Sequence, residues 1–170
     1  MKKMALFLTV LLSSAAAQAA DYFLPYTECD GSANVRAAPD TRSKIMTVLD
    51  YESKKYKILS KQGKWFHIQL DGHRTGYVHQ SQGFIVHNYV VASPDGSANV
   101  RNNSYPEEPI RQGEIIKTLP NGTRVQIAPA FRKGDWLWYS NQGAHTEKDE
   151  YGHHVSIQGY IHKSQLRRVE

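Results

Sequence analysis

A chain of 170 residues, 40% hydrophobic and 22% charged, has room for one ordinary domain or two small ones. Its single cysteine excludes an internal disulfide. The formal charge of +5 falls to +3 once Lys2 and Lys3 are set aside with the N-terminal segment. That excess is far below what a phosphate-tracking surface carries, and no nucleic acid is expected as a partner.

Residues 1–19 read as a signal peptide. Lys2 and Lys3 form a positive start, Ala5 to Leu12 an apolar stretch, and Ala17-Gln18-Ala19 the small residues of a cleavage site before Ala20. The apolar stretch falls short of the roughly 20 residues a membrane helix needs. The expectation is a periplasmic or secreted protein with no integral membrane segment after cleavage. Cys29 follows Tyr-Thr-Glu, well past the cleavage site, so it is not expected to carry lipid. It reads as a buried or idle thiol, with an intermolecular bridge as the lesser alternative.

The mature chain then announces short strands. Tyr56 to Leu59, Trp65 to Leu70 and Arg124 to Ile127 show alternation or β-rich composition. Asp71-Gly72 and Asn121-Gly122 are hairpin signals. No segment carries a 3.6-residue apolar period, so a small barrel or sandwich is expected. Charge is uneven along the chain. Residues 30–83 hold nine Lys/Arg against five Asp/Glu, and residues 94–170 hold ten against nine. Lys54, Lys55, Lys57, Lys61 and Lys64 read as a solvated face, with an anionic docking patch as the alternative.

The chain also repeats itself. Asp30 to Arg36 and Asp95 to Arg101 are both DGSANVR, at an offset of 65. Gly63-Lys64-Trp65 matches Gly134-Asp135-Trp136, and Gly76-Tyr77-Val78-His79 matches Gly159-Tyr160-Ile161-His162. The widening offset places insertions in the second copy, near 102–112 and 141–154, where surface loops tolerate them. Alternation points Val35 and Val100 inward and leaves the neighbouring Asn and Arg for hydrogen bonds. A direct ligand role for Arg36 or Arg101 is the lesser alternative.

An Asn-Val-Arg opening, a Pro39-Asp40 turn, a Lys64-Trp65 strand and a closing Gly-Tyr-Val-His together resemble the bacterial SH3 (SH3b) domain. Asn99-Val100-Arg101, Trp136 and Gly159-Tyr160-Ile161-His162 carry the same resemblance in the second copy. It departs at Asn102 to Ile110, where Ser-Tyr-Pro-Glu-Glu-Pro replaces a compact turn. The resemblance implies an all-β protein with two small SH3-like β-barrels in tandem: domain 1 at residues 27–86 and domain 2 at residues 87–170. At about 60 residues such a unit is marginally stable alone, and the stretch His87 to Val91 lacks linker composition. The two copies are therefore expected to pack together.

Catalytic constellations are missing: no nucleophile elbow, no Ser-x-x-Lys and no His-Glu-x-x-His. Cys29 has no residues to spare around it for a peptidase domain. No enzyme activity, no cofactor and no metal is expected. His145, Glu147, His153 and His154 are ligand types in one insert, but their spacing matches no zinc site and a polar hairpin explains them. Aromatics are the better candidates. Alternation sets Trp136 and Trp138 on one face of their strand and turns Leu137 and Tyr139 to the core. Trp65 and His67 face outward in the first copy, while Phe66 and Ile68 face in. With Tyr105 and Tyr151 from the inserts, these form the candidate ligand-binding set, suited to a sugar face or a peptide. Burial of both tryptophans beneath the insert is the competing expectation. The resemblance implies peptidoglycan or another cell-wall component as ligand. The alternative is a periplasmic protein partner, with the chain acting as an inhibitor or immunity protein against a toxin or wall enzyme.

Overall fold

The computed structural model describes residues 20–26, 32–50, 54–102, 110–141, 148, 151–153 and 156–169. Residues 1–19, Cys29, Tyr105 and most of the second insert lie outside them. Among the described residues the protein is all-β, with no α-helix. Its first half runs β1 (Tyr22–Pro25), β2 (Ser32–Arg36), β3 (Ile45–Asp50), β4 (Tyr56–Gln62), β5 (Trp65–Gln69) and β6 (Thr75–His79). A 3₁₀ turn, Gln80–Gln82, leads into the long β7 (Gly83–Val91). The second half runs β8 (Ser97–Arg101), β9 (Ile115–Pro120), β10 (Arg124–Lys133), β11 (Trp136–Ser140) and β12 (Gln158–His162). A 3₁₀ turn, Lys163–Gln165, then precedes β13 (Leu166–Arg168).

The strands form an open, antiparallel path in the order β3-β2-β6-β5-β4-β1-β7-β10-β11-β12-β8-β9, with β13 against β7. The duplicated letters adopt duplicated pairings. In β2, Ala33 faces Leu49 and Val35 faces Thr47; in β8, Ala98 faces Leu119 and Val100 faces Lys117. Both strands then shift register at their Arg, which pairs with the tyrosine of the closing motif, Arg36 with Tyr77 and Arg101 with Tyr160. Close approach explains the glycine of that motif. A Cβ on Gly159 would sit 2.6 Å from the Arg101 carbonyl oxygen and 2.8 Å from Val100 Cγ1, and one on Gly76 would likewise strike Val35. Only a residue without a side chain lets the strands meet there.

The repeat is longer than the repeated letters. β1 pairs with β4 and β7, through Phe23 with Tyr56 and Phe23 with Ile85. The second half of β7 pairs in the same way with β10 and β13, through Tyr89 with Val125 and Val91 with Leu166. Matching backbone bonds, Tyr26 N–H to Gln82 O and Ala92 N–H to Gln165 O, seal each pair at 3.0 and 2.9 Å. β1 is thus the opening strand of the first copy, and Asn88 to Val91 the opening strand of the second. Gly83 to Val86 closes the first copy. The end of one copy and the start of the next are a single strand.

Two apolar clusters result. One gathers Phe23, Ala33, Val35, Phe66, Ile68 and Val78; the other gathers Val91, Ala98, Val100, Val125, Ile127 and Ile161. Val35 and Val100 are fully buried in equivalent places. Burial of this kind contributes roughly 1.5–3 kcal/mol per large side chain. Polar ties cross between the halves. Asp21 accepts from His87 Nδ1 at 2.7 Å and from Arg168 Nη2 at 2.9 Å. Asn88 Nδ2 donates to the Ala20 carbonyl at 2.7 Å.

Asn121-Gly122 is not a hairpin. β9 and β10 do not pair, and the turn is a corner instead. Gly122, at φ 87°, donates its N–H to Val91 O. The Asn121 side chain takes both backbone groups of buried Ser93, accepting its N–H at 2.9 Å and donating to its carbonyl at 2.8 Å. The Asn-Gly signal correctly marks a sharp reversal of direction, but ladder pairing is decided by tertiary packing. Asp71-Gly72 does join paired strands, β5 and β6, with Gly72 at φ 62°.

Candidate functional site

On the face of β5 and β6 turned away from the core, the cross-strand register sets Trp65 opposite His79 and His67 opposite Tyr77. The Trp65 and His79 rings meet edge to face at 5.1 Å and 72°; His67 and Tyr77 stack at 4.7 Å and 16°. β11 and β12 build the same ladder. Trp136 meets His162 at 5.1 Å and 72°, and Trp138 meets Tyr160 at 5.0 Å and 69°. Each ladder is half-buried. Leu137 is buried, and Tyr139 packs against the second core, so neither tryptophan enters it.

His79 and His162 also cap the 3₁₀ turns. Ser81 and Ser164 each direct a hydroxyl and a backbone N–H at the Nδ1 of their histidine, with the hydroxyl at 2.7 Å in both copies. Nδ1 must then accept, which leaves the proton on Nε2. The Arg of each DGSANVR has a similarly local task. Arg36 Nη1 donates to Ser43 O at 2.6 Å and Arg101 Nη1 to Gly113 O at 2.8 Å, each closing the loop that follows its strand.

Arg101 also lines a cleft of about 330 Å³, together with Asn99, Trp136, His162 and Ser164. The rim at the β10–β11 hairpin is charged: Asp135 pairs with Lys163 at 2.8 Å, and the Lys163 hydrogen bond holds its carboxyl below the usual Asp range. Trp138, although on the same strand face as Trp136, opens into a second cleft of about 350 Å³, shared with Tyr26, Lys55 and Phe131. Burial pushes the Tyr160 hydroxyl above the usual tyrosine range, and Lys133 lies 5.5 Å over its ring.

Of the candidate set, Trp65 and His67 sit together on the first ladder, and Trp136 and Trp138 on the second. Tyr151 is 77% exposed, in the connection between β11 and β12, with its ring 6.4 Å from that of His153. Tyr105 lies outside the described residues, as do His145, Glu147 and His154. Among the described residues no three His, Cys, Asp or Glu side chains are grouped to hold a metal ion. No described helix is long and apolar enough to cross a membrane. Of the lysine run, Lys54, Lys57, Lys61 and Lys64 are exposed, with Lys54 paired to Asp71 at 2.8 Å, whereas Lys55 is half-buried and turns to Gln126 in the second half of the chain. Missing from the candidate set were Tyr77, Tyr160, His79 and His162. Their signal was present, since antiparallel pairing of Trp-Phe-His with Tyr-Val-His sets aromatic opposite aromatic. Lys55 and Phe131 carried no signal, because their cleft forms only where distant strands meet.

Comparison with curated proteins gives no match. Two solved structures are similar over most of this chain. NlpC1 from Trichomonas vaginalis has 19% identity and a TM-score of 0.37, over 95% of this chain and 50% of that one. NlpC2 from Trichomonas vaginalis has 15% identity and a TM-score of 0.35, over 87% of this chain and 47% of that one. The chain therefore spans about half the length of each. The family model described as "Bacterial SH3 domain" matches from the residue before β2 to the start of β7: a bacterial SH3 domain occupies residues 31–84.

Proposed function

We propose that the chain is an exported, non-catalytic binding protein that recognises peptidoglycan through two SH3b-like units. The first runs from β1 to the first half of β7, the second from the second half of β7 to β13. Export follows from the signal segment at residues 1–19, and the periplasm or the cell exterior is the compartment. The observation that carries the reading is the doubled ladder. Trp65 on His79 and Trp136 on His162 repeat one geometry on outward faces of both units. Flat rings beside hydrogen-bonding groups suit sugar faces and peptide planes. Core packing alone would not require a half-exposed tryptophan at both places.

Two weak sites on one rigid chain gain about 10²–10⁴ in avidity on a polymer that presents matching ligands. The test is co-sedimentation of the mature protein with purified sacculi at low and moderate salt. Trp65→Ala and Trp136→Ala are each expected to weaken salt-resistant pelleting, and the double variant to abolish it, with circular dichroism verifying the fold. Pelleting that survives in the folded double variant refutes the ladder as the contact surface. No pelleting of the wild type refutes the wall ligand and points to a protein partner.

A further inference from the structure

The junction between the two units holds a cleft that neither could form alone. Tyr26 enters from just after β1, Lys55 from just before β4, Phe131 from β10 and Trp138 from β11. Its apolar wall is continuous with a ring cluster. Phe131 meets Phe84 at 4.4 Å and Tyr26 at 6.1 Å, and Tyr26 meets Phe84 at 5.0 Å. Phe131 is available for this because β10 bulges there: register with β11 runs from Ile127–Tyr139 directly to Arg132–Leu137. The bulge turns a large side chain out of its own sheet and over the neighbouring unit.

Among the described residues, Lys55 is the only charged one lining the cleft. Its Nζ donates to Gln126 Oε1 at 2.9 Å. Gln126 is oriented in turn, since its Nε2 donates to Asn88 Oδ1 at 3.2 Å and Asn88 Nδ2 donates to Ala20 O. This relay of amides holds the ammonium in place without neutralising it. No carboxylate among the described residues lies within ion-pair distance of Lys55. An ammonium has three protons to donate, and burial lowers the Lys55 pKa below the usual lysine range. A half-buried cation with only a neutral partner is costly unless something else supplies negative charge.

We propose that this junction cleft binds a short peptide through its free carboxylate, with the carboxylate on Lys55 and the adjoining residue against Trp138 and Phe131. A single ammonium beside apolar rings matches a singly charged group with an apolar neighbour. Phosphate sites instead gather several donors or arginines around one anion. The side-chain amides of Gln126 and Gln158 present donors and acceptors to peptide groups. At about 350 Å³ the cleft lies near the small end of ligand sites, about 300–1,000 Å³, which limits the ligand to a few small residues. The inference rests on the junction and holds whatever surface the Trp65 and Trp136 ladders contact.

The experiment is an amide NMR titration of the mature protein with acetyl-Ala-Ala and, separately, with acetyl-Ala-Ala amide. The acid is expected to shift the Trp138 indole resonance and those of Gln126 and Phe131, and to bind at least about 10-fold more tightly than the amide. Lys55→Met should erase that difference and Lys55→Arg retain part of it. Equal shifts by acid and amide, a preference that survives Lys55→Met, or no shift at the cleft with either peptide overturns the proposal. Sacculus pelleting of Lys55→Met, run alongside, separates this outcome from failure of the ladders: a loss there without a change in peptide preference also counts against the cleft.

Discussion

Substituting Gly159 by alanine tests whether the closing motif is a packing requirement. The new methyl would stand 2.6 Å from Arg101 O, 2.8 Å from Val100 Cγ1 and 3.1 Å from Ile116 Cδ1. The first is backbone in a paired strand and the second belongs to a fully buried side chain, so neither can retreat cheaply. Overpacking of a tight core typically costs about 1–3 kcal/mol, and this site belongs at the upper end. For a chain of this size, about 3 kcal/mol lowers the melting temperature by roughly 6–12 °C. Gly134→Ala is the control. Nothing lies within 4 Å of its Cβ, and its φ of 57° leaves only the conformational penalty, about 1 kcal/mol. Thermal unfolding followed by circular dichroism and calorimetry measures both. A Gly159→Ala protein within about 0.5 kcal/mol of wild type, or a Gly134→Ala protein that loses more than it, would refute the argument. Gly76→Ala should resemble Gly159→Ala, and because β7 belongs to both units each change should lower one shared transition.

The capping histidines give a paired prediction. His162→Ala removes the acceptor for two Ser164 groups and the edge contact to Trp136, at a cost of about 1 kcal/mol. His79→Ala should match it closely in chemical denaturation, and a twofold disparity would show that the geometric equivalence is not energetic. On the acid side, Asp71 is held below the usual Asp range first by its hydrogen bond from Lys54 and then by the charges of Lys54 and Arg74. A depressed carboxylate stabilises the fold above its unfolded pKa, and that stabilisation is lost as pH falls through the folded value. The pair is exposed, so its share of stability is small. Lys54→Met should raise the Asp71 midpoint in a carboxyl ¹³C NMR titration and leave Asp135 unmoved; an unchanged Asp71 contradicts the assignment.

Local chemistry made much of this architecture legible. Two-residue alternation placed Val35, Val100, Phe66, Ile68 and Leu137 inside, and the same rule set Trp65 and Trp136 outward. The opening strand Tyr22–Pro25 escaped notice because four residues carry too little pattern. Its identity is visible only by analogy with Asn88 to Val91, which shares no letters with it in order. Asn121-Gly122 misled for a physical reason: the dipeptide encodes the turn, while the pairing of its flanks depends on β7, more than 30 residues upstream. The junction cleft was beyond reach altogether. Lys55 looked like one member of a basic run, and only the arrival of Gln126 and Asn88 from the other copy distinguishes it from Lys54.

The shared strand β7 changes what tandem means for this chain. Beads on a flexible string sample many separations, and their cooperation tolerates irregular targets. Here the hinge is a hydrogen-bonded strand flanked by β1, β10 and β13, so the distance and angle between the two aromatic faces are fixed by backbone geometry. In the proposed binding role, such an object works as a ruler. It rewards a target whose features recur at its own spacing and discounts one that offers the same chemistry at another interval. Under that role, selectivity resides in the interval as well as in either face, and a single residue inserted into β7 would alter the interval without replacing any ring of the two ladders.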